Sequence, residues 1–143
     1  MNTMKIRLAA KTDMGIVRTN NEDNFQVAAD LTSDKMQWIN NEVYSLGEKG
    51  TLLVVADGMG GMNAGEVASE LAIETVREYF SSDRLTDEVL KNRYSIEKYM
   101  NEVIVEADAR IKQEAKRRPE TRGMGTTIVI GWILDGKLYG FRW

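Results

Sequence analysis

"VVADGMGGMNAGEVAS", residues Val54–Ser69, joins an apolar run to an amphipathic segment through a turn that holds four glycines. The run Thr51–Ala56 is short and continuously apolar, which predicts a strand buried on both faces. From Gly65 onward the apolar residues recur at helical spacing: Val67, Ala68, Leu71, Ala72, Val76, Tyr79 and Phe80. This stretch therefore predicts a strand, a glycine-rich turn and a helix, with Asp57 at the end of the strand.

Two further strands are predicted upstream of this stretch. Ile6, Leu8 and Ala10 alternate with polar residues, which is the period of a half-buried strand. Phe25–Ala29 is a second short candidate, whereas residues 30–50 are polar and irregular and predict a loop or a hairpin tip.

Downstream, one helix and one hairpin are predicted. Apolar residues at helical spacing run from Ile96 to about Arg117, and Pro119 ends that helix. Gly125–Leu134 predicts a strand, and Asp135 with Gly136 predicts a tight turn into a return strand, Lys137–Trp143. The order of strands, two helices and strands indicates an α+β fold in which two antiparallel helices pack on a largely antiparallel β-sheet.

Composition excludes several classes of function. The 143 residues suit one domain, and the net charge of −3 comes from interspersed charges, which argues against a nucleic acid or an anionic membrane as partner. No signal-peptide core or membrane-spanning run is present, so we expect a cytoplasmic protein. Cysteine and histidine are both absent, which excludes disulfides, Ser-His-Asp triads and thiolate or imidazole metal sites. A bound metal would have oxygen ligands.

The glycine turn has two interpretations. Strand, glycine-rich turn and helix is the setting of phosphate-binding loops, but the spacing matches neither the dinucleotide nor the P-loop motif. Asp57 would also repel a bound phosphate unless a cation lay between them. A second polar cluster, "RTNNEDN" (residues 18–24), adds Asp23, Glu22 and an arginine, Arg18, that can bind a phosphate. Together the two clusters favour an oxygen-ligated divalent metal that acts on a phosphate ester.

Three blocks resemble the metal-dependent protein phosphatases, the type 2C serine/threonine phosphatase family, and its bacterial branch in particular. They are "GIVRTNNEDNF" (residues 15–25), "VVADGMGGMNAGEVAS" (residues 54–69) and "GMGTTIVI" (residues 123–130). The resemblance implies an α-β-β-α sandwich, of which this chain carries a part. It also implies hydrolysis of phosphoserine and phosphothreonine in protein substrates by a hydroxide that bridges two Mn2+ or Mg2+ ions.

The resemblance also implies roles for individual residues. Asp57 would bridge the two ions, with Asp23 and the carbonyl of Gly58 as further ligands of one ion. Glu22 would hold metal-bound water, and Arg18 would bind the substrate phosphate. Gly60, Gly61 and Gly65 would shape the turn, and Gly125, Thr126 and Thr127 would be structural. Where some members carry a histidine proton donor, this chain has Met59, so the proton would come from water or another group.

The chain stops at Trp143 inside a predicted strand, and later family blocks such as "GDSR" are missing. We therefore expect a single type 2C domain, residues 1–143, truncated at its C-terminus. Such a chain would bind at most one ion weakly and would be inactive or weakly active. The bare strand edge near Trp143 predicts self-association. The alternative is a pseudophosphatase that binds phosphoproteins as a regulatory module, and a nucleotide-binding protein is a third reading.

Overall fold

The computed structural model describes residues 4–32 and 43–143. Its regular elements follow the chain as β1 (Lys5–Arg7), β2 (Asp23–Ala28), β3 (Val43–Ser45), β4 (Thr51–Met59), α1 (Ala64–Tyr79), α2 (Asp87–Leu90), α3 (Arg93–Arg117), β5 (Gly125–Leu134) and β6 (Lys137–Arg142). A 3-10 turn, Pro119–Thr121, follows α3. None of the helices in this described part combines the length and the hydropathy needed to cross a membrane.

A four-stranded antiparallel sheet lies at the centre, with the strands in the order β2-β4-β5-β6. The β5–β6 hairpin closes through Asp135 and Gly136, both with positive φ, as a two-residue turn requires. The hairpin predicted from the sequence is therefore confirmed. Strands β2 and β6 form the two edges of the sheet.

Both long helices pack on one face of this sheet, and the main core lies between them and the strands. Trp132 on β5 is fully buried, stacks edge-to-face on Phe80 at 4.9 Å between ring centroids, and donates its indole N–H to the Lys49 carbonyl at 2.8 Å. Tyr79 near the end of α1 contacts Tyr99 near the start of α3, as antiparallel helices do. The α+β fold is confirmed.

The other face of the sheet is covered in part by a second, two-stranded sheet. Strands β1 and β3 pair antiparallel. Their side chains join a small buried cluster with residues of β2 and β4, built on Leu8, Val27 and Ala29 and flanked by Tyr44 and Leu53. The chain therefore forms a helical layer and two β layers.

Several local predictions need correction. Strand β4 is not buried on both faces, because Val55 is 55% exposed on the side away from the helices. It also continues past Ala56 to Met59, since pairing with β5 holds Asp57 and Gly58 in the ladder despite their low strand propensity. The first strand covers only Lys5–Arg7, although Leu8 and Ala10 still pack in the small cluster.

Three short elements were not predicted: β3, α2 and the 3-10 turn. Strand β3 lies inside the segment predicted as a loop or hairpin tip, and its pairing with β1 over a long separation has no local signal. Residues 33–42 of that predicted segment fall outside the described residues.

Candidate metal and phosphate site

Asp23 and Asp57 face each other across β2 and β4, where they are direct partners in the register. Since Ala56 and Ile128 point into the helix-covered core, the alternation of a strand directs Asp57 and its β5 partner Thr127 to the opposite face. Both aspartates are exposed. The fold therefore brings together two carboxylates that lie 34 residues apart in the chain.

The surroundings of Asp23 raise its pKa above the ordinary value of 3.8. Desolvation is the largest cause, followed by the hydrogen bond with Asp57 and the repulsion between the two carboxylates. Glu22 adds repulsion, whereas Arg18 lowers the pKa of Asp23. Because Asp23 is exposed, its desolvation is only partial, and Asp57 supplies the next two causes of the raised pKa. A cation between the two carboxylates would relieve this repulsion.

Glu22 and the glycine turn meet at the start of α1. The Gly58 N–H donates to the Glu22 carbonyl at 3.2 Å. A side chain at Gly65 would come within 2.8 Å of both the Glu22 carboxyl carbon and the Met59 backbone nitrogen, and one at Gly58 would collide with the Gly65 carbonyl. Glycine at these two positions allows β2, β4 and α1 to approach closely.

The turn itself uses left-handed backbone at Met62 and Asn63 as well as a φ of 152° at Gly60. Nothing lies within 4 Å of the position that a side chain on Gly61 would occupy. The Asn20 side-chain amide donates to Asn63 Oδ1 at 2.9 Å, which ties the upstream cluster to the turn. Sequence reasoning missed this bond, because the two asparagines are 43 residues apart.

Arg18 lies in an exposed irregular segment before β2. It is near enough to Asp23 to lower the pKa of that carboxyl. Two asparagine contacts shape the approach to β2: the Asn21 amide donates to Thr12 Oγ1 at 2.8 Å, and the Asp23 N–H donates to Asn21 Oδ1 at 3.1 Å. Arg18, Glu22, Asp23 and Asp57 therefore share one end of the sheet.

The donor set fits part of a coordination shell for a hard divalent cation. Two carboxylates and the backbone carbonyls of the turn are oxygen donors of the kind that Mg2+ and Mn2+ accept. Within residues 4–32 and 43–143, no group of three acidic, histidine or cysteine side chains is arranged to hold a metal ion. Glu22 lies against Gly65 at the start of α1. Gly125, Thr126 and Thr127 pair with Met59, Gly58 and Asp57, so β5 forms the floor beside the turn.

Comparison with known proteins agrees with the resemblance seen in the sequence, and the second and third blocks lie within the residues that the family model matches. The family model for protein phosphatase 2C matches residues 29–142. A serine/threonine phosphatase, Stp of Listeria innocua, is 31% identical over 128 residues, which are 90% of this chain and 43% of that protein.

Solved structures show the same likeness. The serine/threonine phosphatase PstP/Ppp of Mycobacterium tuberculosis superposes with a TM-score of 0.65 and 26% identity, over 94% of this chain and 45% of that one. The catalytic domain of PstP in complex with two manganese ions superposes with a TM-score of 0.58 and 25% identity, over 93% of this chain and 53% of that one.

The chain spans less than half the length of the Listeria phosphatase and of the Mycobacterium structure. The matched residues nevertheless include the glycine turn, both long helices and the β5–β6 hairpin. The solved structures also cover more than nine tenths of this chain with the same arrangement of helices and sheet. The chain belongs to the protein phosphatase 2C family.

Proposed function

We propose that the protein to which this chain belongs is a metal-dependent phosphatase that hydrolyses phosphoserine and phosphothreonine in proteins. The observation that carries the proposal is the pair of carboxylates, Asp23 and Asp57, held opposite each other on neighbouring strands beside an arginine. The bacterial relatives named as serine/threonine phosphatases support the same reaction.

Each residue at this end of the sheet has a proposed task. Asp57 and Asp23, with the Gly58 carbonyl, hold Mn2+ or Mg2+, and Glu22 accepts a hydrogen bond from water in the site. Arg18 binds the phosphate through its guanidinium N–H groups and orients it for attack from the side opposite the leaving oxygen. Bound divalent ions would supply an acidified water and neutralise the phosphoryl oxygens. Since Met59 cannot donate a proton, the leaving oxygen would take its proton from water or another group.

The proposal is tested with the full-length protein and a phosphoserine peptide in the presence of Mn2+. Asp57→Asn removes one charge from the pair and should reduce turnover by about 100-fold or more. It should also lower the affinity for Mn2+, which calorimetry measures. Asp83→Asn, which neutralises an exposed aspartate beyond the other end of α1, is the matched control. Unchanged turnover in Asp57→Asn would contradict the proposed role.

We propose further that the 143 residues by themselves are inactive or weakly active. Two six-coordinate ions offer about twelve ligand positions, of which Asp23, Asp57 and the Gly58 carbonyl fill few. Such a chain would bind at most one ion weakly. The measurement is hydrolysis of p-nitrophenyl phosphate with added Mn2+, and turnover comparable to that of a full-length relative would overturn this part of the proposal.

The exposed edge strand β6 supports a proposal of self-association. The Trp143 N–H and carbonyl pair with Ile128 at 2.9 Å, so pairing with β5 extends to the last residue while the outer edge of β6 stays open among the described strands. Such an edge can pair with a second copy. The single-domain organisation and the cytoplasmic location remain predictions from the sequence.

A further inference from the structure

A groove of about 580 Å³ runs between helix α3 and strand β6. One wall is formed by three side chains on one face of α3: Arg93, Glu97 and Met100. The other wall is β6 itself, from Lys137 to Phe141. A second hollow of about 380 Å³ adjoins the groove at its Lys137 end, since both are lined by Arg93, Lys137 and Tyr139. The groove therefore follows the outer edge of the sheet along most of β6.

The bottom of the groove is apolar. Tyr139 and Phe141 are half-buried and pack against the main core, and Met100 on α3 is almost completely buried. Tyr139 and Phe141 are two residues apart in a strand, so both point to the helix-covered face of the sheet. A side chain that enters the groove would contact these two aromatic rings and the methionine.

The charged side chains that line the groove leave one positive charge unpaired. Arg93 forms an ion pair with Glu97 at 2.7 Å. Lys137 forms no ion pair with any residue that the structure describes. Two carboxylates, Glu48 and Asp135, line the adjoining hollow, but neither of them pairs with Lys137. The groove therefore favours an acidic group beside Lys137.

The edge of β6 also offers backbone hydrogen-bonding groups. Ile128 and Trp143 bond to each other in both directions, which fixes the alternation along β6. The N–H and carbonyl groups of Leu138 and Gly140 therefore point away from β5, and none of the described strands pairs with them. An added strand can satisfy such groups, and its alternate side chains then enter neighbouring pockets.

We propose that the edge of β6 and this groove together form a docking surface for an extended, acidic peptide segment of a partner protein. The segment adds to the sheet as an antiparallel strand, the orientation of every other pair in this sheet. Its residues opposite Phe141 and Tyr139 are apolar and enter the groove, and its residue opposite Lys137 is acidic. Because an antiparallel segment runs from the Phe141 end to the Lys137 end, its pattern is apolar-x-apolar-x-acidic.

Charge favours this occupant over a second copy of the chain at the same edge. A second copy would bring its own Lys137 and Arg142 to the edge, where like charges repel, whereas an acidic segment is attracted. The two occupants also respond to salt in opposite directions. Salt weakens the binding of the acidic segment and strengthens self-association.

The docking surface is separate from the candidate metal site. Lys137 pairs with the last residue of β5, whereas Asp57 pairs with Thr127 near the start of that strand. The groove and the paired carboxylates therefore lie toward opposite ends of the sheet. The inference does not depend on the proposed phosphatase reaction.

The test measures the binding of short peptides by fluorescence anisotropy. A fluorescein-labelled peptide with the sequence valine-threonine-valine-threonine-glutamate, flanked by serines, is titrated with the 143-residue chain and with the full-length protein. We expect both to bind it. Replacement of the glutamate by lysine should weaken binding about threefold to fivefold, as expected for one exposed ion pair.

Methylated peptides test whether the occupant is an added strand. Methylation of the backbone nitrogen of the threonine opposite Gly140 removes the N–H that would donate to the Gly140 carbonyl, and should weaken binding about tenfold. Methylation of the valine opposite Tyr139 is the matched control. The N–H of that valine points away from β6, so binding should change little.

Two charge reversals locate the acidic residue. Lys137→Glu should reverse the preference, so that the lysine peptide binds more tightly than the glutamate peptide. Lys98→Glu makes the same change at an exposed position of α3 that does not line the groove, and should leave the preference unchanged. In amide NMR spectra, the signals of Leu138 and Gly140 should shift on binding and their hydrogen exchange should slow.

Each contrary outcome overturns the inference. The peptide could fail to bind, could bind despite methylation of the threonine, or could keep its preference in Lys137→Glu. Binding to the 143-residue chain alone would mean that other residues of the full-length protein cover the edge. A self-associated chain that excess peptide does not dissociate would assign the edge to a second copy. None of these outcomes bears on the proposed phosphatase function, which is measured by turnover.

Discussion

At the scale of single residues, Asp23 and Asp57 repel each other when no cation lies between them. Because the folded protein raises the pKa of Asp23 above 3.8, ionisation of this carboxyl at neutral pH lowers stability. Asp23→Asn should therefore raise the melting temperature of the metal-free chain at pH 7. The gain should disappear below about pH 3.8, where the wild-type carboxyl is protonated in both states.

When Mn2+ is added, we expect the wild type to have a higher melting temperature than Asp23→Asn, the reverse of the order without metal. The wild type should gain melting temperature with Mn2+, whereas Asp23→Asn should gain little, because a ligand that binds only the folded state stabilises it by mass action. Differential scanning fluorimetry with and without Mn2+ measures both effects, and Asp83→Asn is the control. An Asp23→Asn variant that is less stable than wild type without metal would contradict the proposed repulsion.

Two glycines of the turn provide a matched pair of alanine substitutions. Gly65→Ala forces a methyl group to within 2.8 Å of the Met59 backbone nitrogen and the Glu22 carboxyl, and should cost about 1–3 kcal/mol of unfolding free energy. Gly61→Ala meets nothing within 4 Å and should change stability by less than about 0.5 kcal/mol. Urea denaturation compares them. Equal effects would mean that Gly65 is not needed for close packing.

At the scale of elements, α3 begins at a side-chain cap. Asn92 Oδ1 accepts the Ser95 N–H at 2.8 Å, so Asn92→Ala should destabilise the chain by about 1 kcal/mol. Asn101→Ala, on the exposed surface inside the same helix, should instead stabilise it by about 0.5 kcal/mol because alanine has the higher helix propensity. Opposite signs in urea denaturation are the expected result, and equal signs would contradict the cap.

The contact between α1 and α3 makes stability depend on pH in the alkaline range. Burial raises the pKa of Tyr99 to about 12, and its hydroxyl donates to the Tyr79 carbonyl. Since the unfolded value is about 10, the contribution is complete below pH 10 and is lost as the pH rises through 12. Ultraviolet titration should show one late tyrosine, absent in Tyr99→Phe and retained in the exposed control Tyr94→Phe. A full set of tyrosines titrating near 10 would contradict the burial.

At the scale of the whole molecule, the proposed self-association would depend on the outer edge of β6, which has no partner among the described strands. The pairing of Ile128 with Trp143 fixes the alternation, so the N–H groups of Leu138 and Gly140 point away from β5. Leu138→Pro should remove an outward donor and reduce association in sedimentation velocity, while the fold persists. Association should strengthen with salt, because Lys137 and Arg142 on neighbouring copies repel. A chain that is monomeric at high concentration and high salt would contradict the proposal.

Much of the fold follows from local patterns. The periodicity of α1 and α3, the stop at Pro119 and the Asp135-Gly136 turn are properties of short segments, and the structure confirms each of them. The prediction failed for β4, whose exposed face depends on which layers cover the sheet, and for β3, whose partner β1 is distant in the chain. Burial and long-range strand pairing depend on residues that are distant in the chain, so no short segment of the sequence predicts them.

The candidate site likewise has some features that the sequence predicts and others that depend on the tertiary structure. The sequence by itself determined the residue types, since the absence of histidine and cysteine leaves oxygen ligands, and it identified Arg18, Glu22, Asp23 and Asp57 as the group of interest. Only the tertiary structure decided that Asp23 lies opposite Asp57 and that Asn20 is bonded to Asn63. The identity of each residue determines which chemistry its side chain can perform. The proximity of these side chains depends on the register between strands and on the packing of helices against them.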